Sequence, residues 1–290
     1  MKFFTKASLC VAGVVLSSLN LGIAPAAAGT MHNGWDYAID SFNDGFSGNT
    51  SGSNSAYEFY GLAVRETADQ IYVAINANLG LEGKASNGAE NGTISYGDLF
   101  FNFSGQNLDD ANGSLYAIRF ASSNDSGVSE LGVYSNVTGK NVAGINNGFS
   151  SMSAHANKAG SNASMGDLSE SDSYFQQGGN AVSNSIDSGT QVGDISMLDG
   201  SALGSLGLDF GHFNATGSKT IGFSFDRALF PDGDFTAHLF AECINDGVAI
   251  SSTFEPVEPP TSESVPEPAS TFGLLMLGGL GLLKRRERAA

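Results

Sequence analysis

Residues 58–78 read EFYGLAVRETADQIYVAINAN, and the pattern of this stretch sets the expected fold class. Glu58–Arg65 and Ile71–Asn78 are both rich in aromatic and β-branched residues. In the second run Ile71, Val73 and Ile75 alternate with Tyr72, Ala74 and Asn76. A period of two puts the aliphatic set on one face of a strand, the face that packs into a core. Glu66–Gln70 between the two runs reads as the turn of a hairpin.

The same signature recurs outward. Asp98–Phe103 (DLFFNF), Ser114–Ala121 (SLYAIRFA) and Glu130–Val137 are further strand candidates. Lys219–Phe225 and Phe235–Ile244 form a C-terminal pair joined by Arg227–Asp234, where Gly, Asp and Pro take turn roles. Many short strands separated by turn signals predict a mainly β fold, an antiparallel β-sandwich of jelly-roll-like type. No ten-residue stretch carries a convincing amphipathic helical pattern, and no fixed-period repeat points to a solenoid or propeller. Composition agrees: 38 glycines against 13 lysines plus arginines suit strands and turns better than exposed helices. Between about residues 138 and 194 large aliphatics thin out, so this part reads as a loop-rich insertion in the sandwich. It holds too little apolar surface to offset the chain entropy of a second domain.

The two ends carry addresses rather than fold. Residues 1–28 begin with Lys2 and Lys6, continue through an apolar run from Ala7 to Ile23 and close on small residues, the layout of a secretory signal peptide cleaved between Ala28 and Gly29. The globular body is then expected within residues 29–253, followed by a Pro/acidic linker over 254–265 that stays extended. Between Gly29 and Pro268 there are 29 acidic residues against 7 basic ones, a net charge of −22. That excludes nucleic acid as a partner, because phosphate binding needs clustered Lys and Arg. It also favours counterions and divalent cations. Cys243 is the one cysteine left in the body, so no intramolecular disulfide supports the exported fold.

Residues 266–290 explain the greasy end of an acidic chain. Val265-Pro266-Glu267-Pro268 precedes an uncharged run from Ala269 to Leu283, about 22 Å long as a helix and marginal against a bilayer core of about 30 Å. Lys284, Arg285, Arg286 and Arg288 then hold the end on the cytoplasmic side. Motif, weak transmembrane helix and basic cluster together resemble the PEP-CTERM sorting signal of bacterial surface proteins. The resemblance implies the secretion machinery and an exosortase as partners, transient inner-membrane insertion, a final place at the cell surface or in extracellular matrix, and exopolysaccharide as a candidate partner. It implies no catalytic activity. The body is also similar, through Gly34–Ser41, Glu58–Gly61, Gly97–Phe103 and the Glu242-Cys243-Ile244-Asn245-Asp246 stretch, to cyanobacterial exosortase-dependent surface proteins. Where that pattern has a glycine, this chain has Ile244.

A structural or adhesive role at the surface is therefore the leading expectation, with no enzyme activity. A second reading is a calcium-assisted glycan-binding module. Asp36, Asp40 and Asp44 before Gly45, and Asp109 and Asp110 before Gly113, offer hard oxygens beside turns, as Ca²⁺ requires; turn-forming roles explain the same residues. Trp35, Tyr37 and Tyr60 are the candidates for stacking on sugar rings, against an ordinary place in the core. A secreted hydrolase is third. No nucleophile elbow, zinc-binding H-E-x-x-H or P-loop is present, and only a pair of carboxylates brought together by folding would supply the chemistry.

Overall fold

A computed structural model describes residues 29–175 and 182–256. The signal segment, most of the linker and the sorting tail lie outside these residues. No helix among the described residues is long and apolar enough to cross a membrane.

The opening hairpin forms as its alternation predicts. Phe59–Glu66 pairs antiparallel with Gln70–Ala77, with Val64 opposite Val73 and Glu66 opposite Ile71. Thr67 closes the turn: its N–H donates to the Gln70 carbonyl at 2.9 Å, and its hydroxyl accepts from the Gln70 N–H at 3.0 Å. Around this hairpin grows a six-stranded sheet in the order Thr30–His32, Trp35–Ile39, Phe59–Glu66, Gln70–Ala77, Lys219–Asp226, Ser196–Leu198. A second six-stranded sheet runs Ser185–Gly193, Gly132–Lys140, Leu115–Arg119, Leu99–Asn102, Gly233–Phe240, Gly247–Phe254. Every pairing in both sheets is antiparallel.

The sheets face each other across one core. Leu62, Val64, Ile71, Val73, Ile75 and Phe223 of the first sheet meet Leu99, Phe101, Ile118, Leu239, Ile250 and Phe254 of the second. Each such side chain, taken fully out of water, contributes about 1.5–3 kcal/mol, which makes this layer the main source of stability.

The outer faces are covered as well. On the first sheet, Trp35, Tyr37, Tyr60, Ala63 and Ala74 point outward under Leu203, Phe210 and Ala215 of the 199–215 segment. On the second, Phe100, Ala117, Tyr134 and Phe240 are covered by Met152, Met165, Leu168, Tyr174, Phe175 and Val182. The 138–194 stretch is thus a packed layer: Gly132–Lys140 and Ser185–Gly193 are sheet strands, and between them runs a helix over Met152–Ala159. Ser151 caps that helix by accepting the Ala154 N–H at 3.1 Å. Its few large side chains suffice because most of them are spent on one contact surface.

Five strands of the two sheets fall outside the runs read from sequence, the short Thr30–His32 and Ser196–Leu198 and three longer ones that escape an alternation reading for distinct reasons. Trp35–Ile39 is buried on both faces, so it shows no polar alternation. Ser185–Gly193 is a sheet edge whose last residues are largely exposed and polar. Gly247–Phe254 is an edge strand, buried over its first four residues and only partly buried at Ser251 and Ser252. The connection at 227–234 also differs from a hairpin: it carries the chain from Lys219–Asp226 in the first sheet to Gly233–Phe240 in the second. Buried Arg227 pins this crossover through Glu66, through Asp232 at 2.6 Å and through the Phe230 carbonyl at 2.8 Å.

Candidate functional site

The carboxylates that the fold collects lie where the first sheet ends. After Ile39 the chain leaves its strand, and Asp40 and Asp44 fall on the bend that follows. Glu58 immediately precedes the strand Phe59–Glu66, and Asp246 sits in the turn between Gly233–Phe240 and Gly247–Phe254. One carboxylate oxygen from each of Asp40, Asp44 and Asp246 lies within 4.8 Å of the others. A methyl group on Gly45 would stand 2.6 Å from Glu58 Oε2 and 2.7 Å from Asp246 Oδ2, so Glu58 flanks the same point. Asp40 is 5% exposed, Asp246 1%, and Asp44 and Glu58 are fully buried.

Backbone donors orient the four. Gly166 N–H donates to Asp40 at 3.1 Å, Ser164 N–H to Asp44 at 2.8 Å, Gly45 N–H to Glu58 at 2.8 Å and Phe59 N–H to Asp246 at 2.7 Å. Asp246 receives a second bond from Gly247 N–H at 2.8 Å. Asp40 Oδ2, Asp44 Oδ1 and Glu58 Oε1 remain buried without any hydrogen-bond partner. Burial, followed by the neighbouring carboxylates, holds Asp40 and Asp246 well above the usual carboxylate range and lifts Glu58 to about 8. Burial also raises Asp44 to about 6.

His155 borders the cluster but does not enter it. One ring nitrogen faces Glu170 at 2.8 Å and the other the Asp44 carbonyl at 2.9 Å. The carbonyl can only accept, so the nitrogen facing it donates, and a charged ring would donate to Glu170 through the other. Burial opposes that charge, but the Glu170 bond outweighs it and the net shift is upward. Beside the cluster Ile244 adopts φ of +52°, a left-handed conformation that suits glycine and strains a β-branched residue by roughly 1–3 kcal/mol. The turn that aims Asp246 is therefore held by its surroundings.

Several residues that the sequence offers stand elsewhere. Asp36 lies beside Asp167 and Ser252. The extended chain between it and Asp40 spans about 13 Å, too far for one ion to join them. Asp109 and Asp110 are exposed on the short helix Leu108–Ala111, where Asn107 caps the Asp110 N–H at 3.0 Å and donates to its carboxylate at 2.9 Å. They serve a helix start. Trp35 is fully buried, Tyr37 is 1% exposed and Tyr60 4%; their rings pack on Tyr72, on Phe210 and Phe213, and on Phe42 respectively, and present nothing to a sugar. Glu58 and Asp246 were not among the carboxylates that sequence reasoning singled out. The Glu58–Gly61 and Glu242–Asp246 stretches drew notice only by resemblance, and no spacing rule joins residues so far apart.

A second acidic group shows what a satisfied one looks like. Glu242 accepts the N–H groups of Ser95, at 2.7 Å, and Asp125. Asp98 accepts from Asn124 and Ser126 at 2.8 Å and from Ile186 N–H at 2.7 Å. Burial lifts Glu242 from 4.5 to about 7. The folded state then holds this proton more tightly than the unfolded chain. Its contribution is complete below about pH 4.5 and is lost as pH rises through about 7. At 1.36 kcal/mol per unit the expected loss is about 3 kcal/mol, and Asp167, also raised to about 7 by burial, works in the same direction. Urea unfolding between pH 4.5 and 8 measures this, and Glu242→Gln should flatten the slope. A stability that rises over that interval would contradict it.

The PEP-CTERM protein-sorting motif matches residues 264–289. The motif implies a secreted, exosortase-processed protein that passes the membrane and reaches the cell surface. No match emerged among curated proteins or solved structures.

Proposed function

We propose that the body acts as a structural or adhesive component of the cell surface or extracellular matrix, without catalysis. The sorting motif at 264–289 carries this reading, because it delivers the β-sandwich to that place. Two features of the body support it. The converging carboxylates are closed to solvent, so a substrate has no access to them. The aromatic candidates for a glycan platform are core residues.

Replacing Pro266-Glu267-Pro268 by three alanines should leave export intact and block release to the surface, with the protein retained at the inner membrane. Surface protease accessibility and the intact mass of the protein, in cells with and without the exosortase, measure this. Unchanged mass and surface yield in the triple variant would reduce the tail to a passive anchor. The structural role is tested by co-sedimentation of the purified protein with isolated extracellular matrix. Partition into the soluble phase would oppose it.

A further inference from the structure

We propose that Asp40, Asp44, Glu58 and Asp246 form a buried calcium site that ties the N-terminal strand pair, the loop around Ser164 and the turn before Gly247 into one unit. The inference concerns the folded body and holds whichever route brings the protein to the surface.

Three observations carry it together. Two oxygens that share a calcium ion at about 2.4 Å stand at most about 4.8 Å apart, and the oxygens of Asp40, Asp44 and Asp246 meet that limit. Asp40 Oδ2, Asp44 Oδ1 and Glu58 Oε1 are buried carboxylate oxygens with no partner, whereas both oxygens of Glu242 and Asp98 in the neighbouring acidic group are satisfied by protein donors. Buried carboxylate oxygens without a protein donor in one cluster, beside a cluster in which every oxygen has one, mark the first as prepared for a cation. Thirdly, backbone N–H groups hold one oxygen each of Asp40, Asp44 and Glu58 and both oxygens of Asp246, the arrangement by which outer partners orient metal ligands.

The donor set selects the ion. It is all hard oxygen: both His155 nitrogens are engaged by Glu170 and the Asp44 carbonyl, and the Cys243 thiol is buried in the core between the sheets. Zinc and copper are thereby disfavoured. Magnesium keeps several waters and demands octahedral regularity, which a closed cluster of four side chains does not offer; calcium accepts irregular all-oxygen shells. His155 is paired with Glu170 at 2.8 Å and reaches only Asp44 of the four carboxylates.

The structural consequence is local. Asp40 and Asp44 hold the amides of Gly166 and Ser164, so the ion fastens the layer over 152–168 to the sandwich.

The test uses the full-length protein purified in detergent, stripped with chelator and titrated with calcium chloride. One calcium per chain by calorimetry and elemental analysis is expected. At a hundredfold excess over Kd, Tm should rise by about 5–10 °C, against a much smaller change with sodium chloride at matched ionic strength. Chelator should also expose the 152–168 layer to protease. Asp246→Asn and Glu58→Gln should each weaken calcium binding at least tenfold, while Asp109→Asn combined with Asp110→Asn leaves it unchanged. If the cluster variants fail to fold, stoichiometric calcium on the native protein decides. Absence of bound calcium on the native protein, an equal Tm rise with sodium, or a Glu58→Gln variant more stable in calcium than the native protein would each overturn the proposal; the last result would assign the cluster to shared protons.

Discussion

Trp35→Ala is expected to lower stability by about 3–5 kcal/mol, because a fully buried indole leaves a cavity that rigid neighbours cannot close. The ring packs outside the first sheet, tilted against Tyr72 with 6.4 Å between centroids. Its Nε1 donates to the Leu206 carbonyl at 2.9 Å, and Arg65 donates to the same oxygen at 2.6 Å. The change therefore removes both a packing block and one of the clamps on the 199–215 cover. For a body of this size the loss corresponds to a fall in Tm of about 6–20 °C. Circular dichroism melting measures it, and limited proteolysis should place the first cut within 199–215. A drop of less than 2 °C would mean that the cover is loosely seated and that Trp35 is open to ligands after all.

Gly45→Ala should cost a comparable amount, about 3–5 kcal/mol, for a different reason. A β-carbon there would lie 2.6 Å from Glu58 Oε2 and 2.7 Å from both Asp246 Oδ2 and the Glu58 Cα, and one of these contacts is backbone that cannot step aside. Overpacking of this kind costs about 1–3 kcal/mol. Displacing the bond from the Gly45 N–H to Glu58 leaves a buried acceptor without its donor and adds about 1–3 kcal/mol. Gly80→Ala is the control: nothing lies within 4 Å of its β-position, so an effect between zero and about 1 kcal/mol of stabilisation is expected. Denaturant midpoints for the two variants separate the cases. Equal midpoints would show that the carboxylate cluster yields freely and is not a closed site.

How much of this was legible beforehand depends on the range of the interaction. The hairpin at 59–77 was readable because side-chain alternation is written in neighbouring residues, and the register follows once the turn at Thr67–Gln70 is placed. The sorting segment was readable for the same reason: it is a short, contiguous physical pattern of charge and apolarity. The insertion was harder. Its sparse apolar residues look inadequate when counted along the chain, and become adequate when Met152, Leu168, Tyr174 and Phe175 converge on one face of the second sheet.

The candidate site marks the boundary most clearly. Asp40 and Asp44 could be singled out from the bend before Gly45, but proximity in sequence also drew in Asp36, which the extended strand carries away, and proposed Asp109 and Asp110, which only start a helix. The aromatic cluster at Trp35, Tyr37 and Tyr60 illustrates the same ambiguity: composition cannot say which face of a strand will be covered, and the 199–215 segment decides it. The chain by itself determined a secreted, acidic, mainly β protein with a PEP-CTERM sorting end, because those properties reside in local periodicity and summed charge. Only the tertiary structure brought Asp246 against Phe59, 187 positions away, and with it the closed group of four carboxylates, because that contact depends on how two sheets pack and no local pattern encodes it.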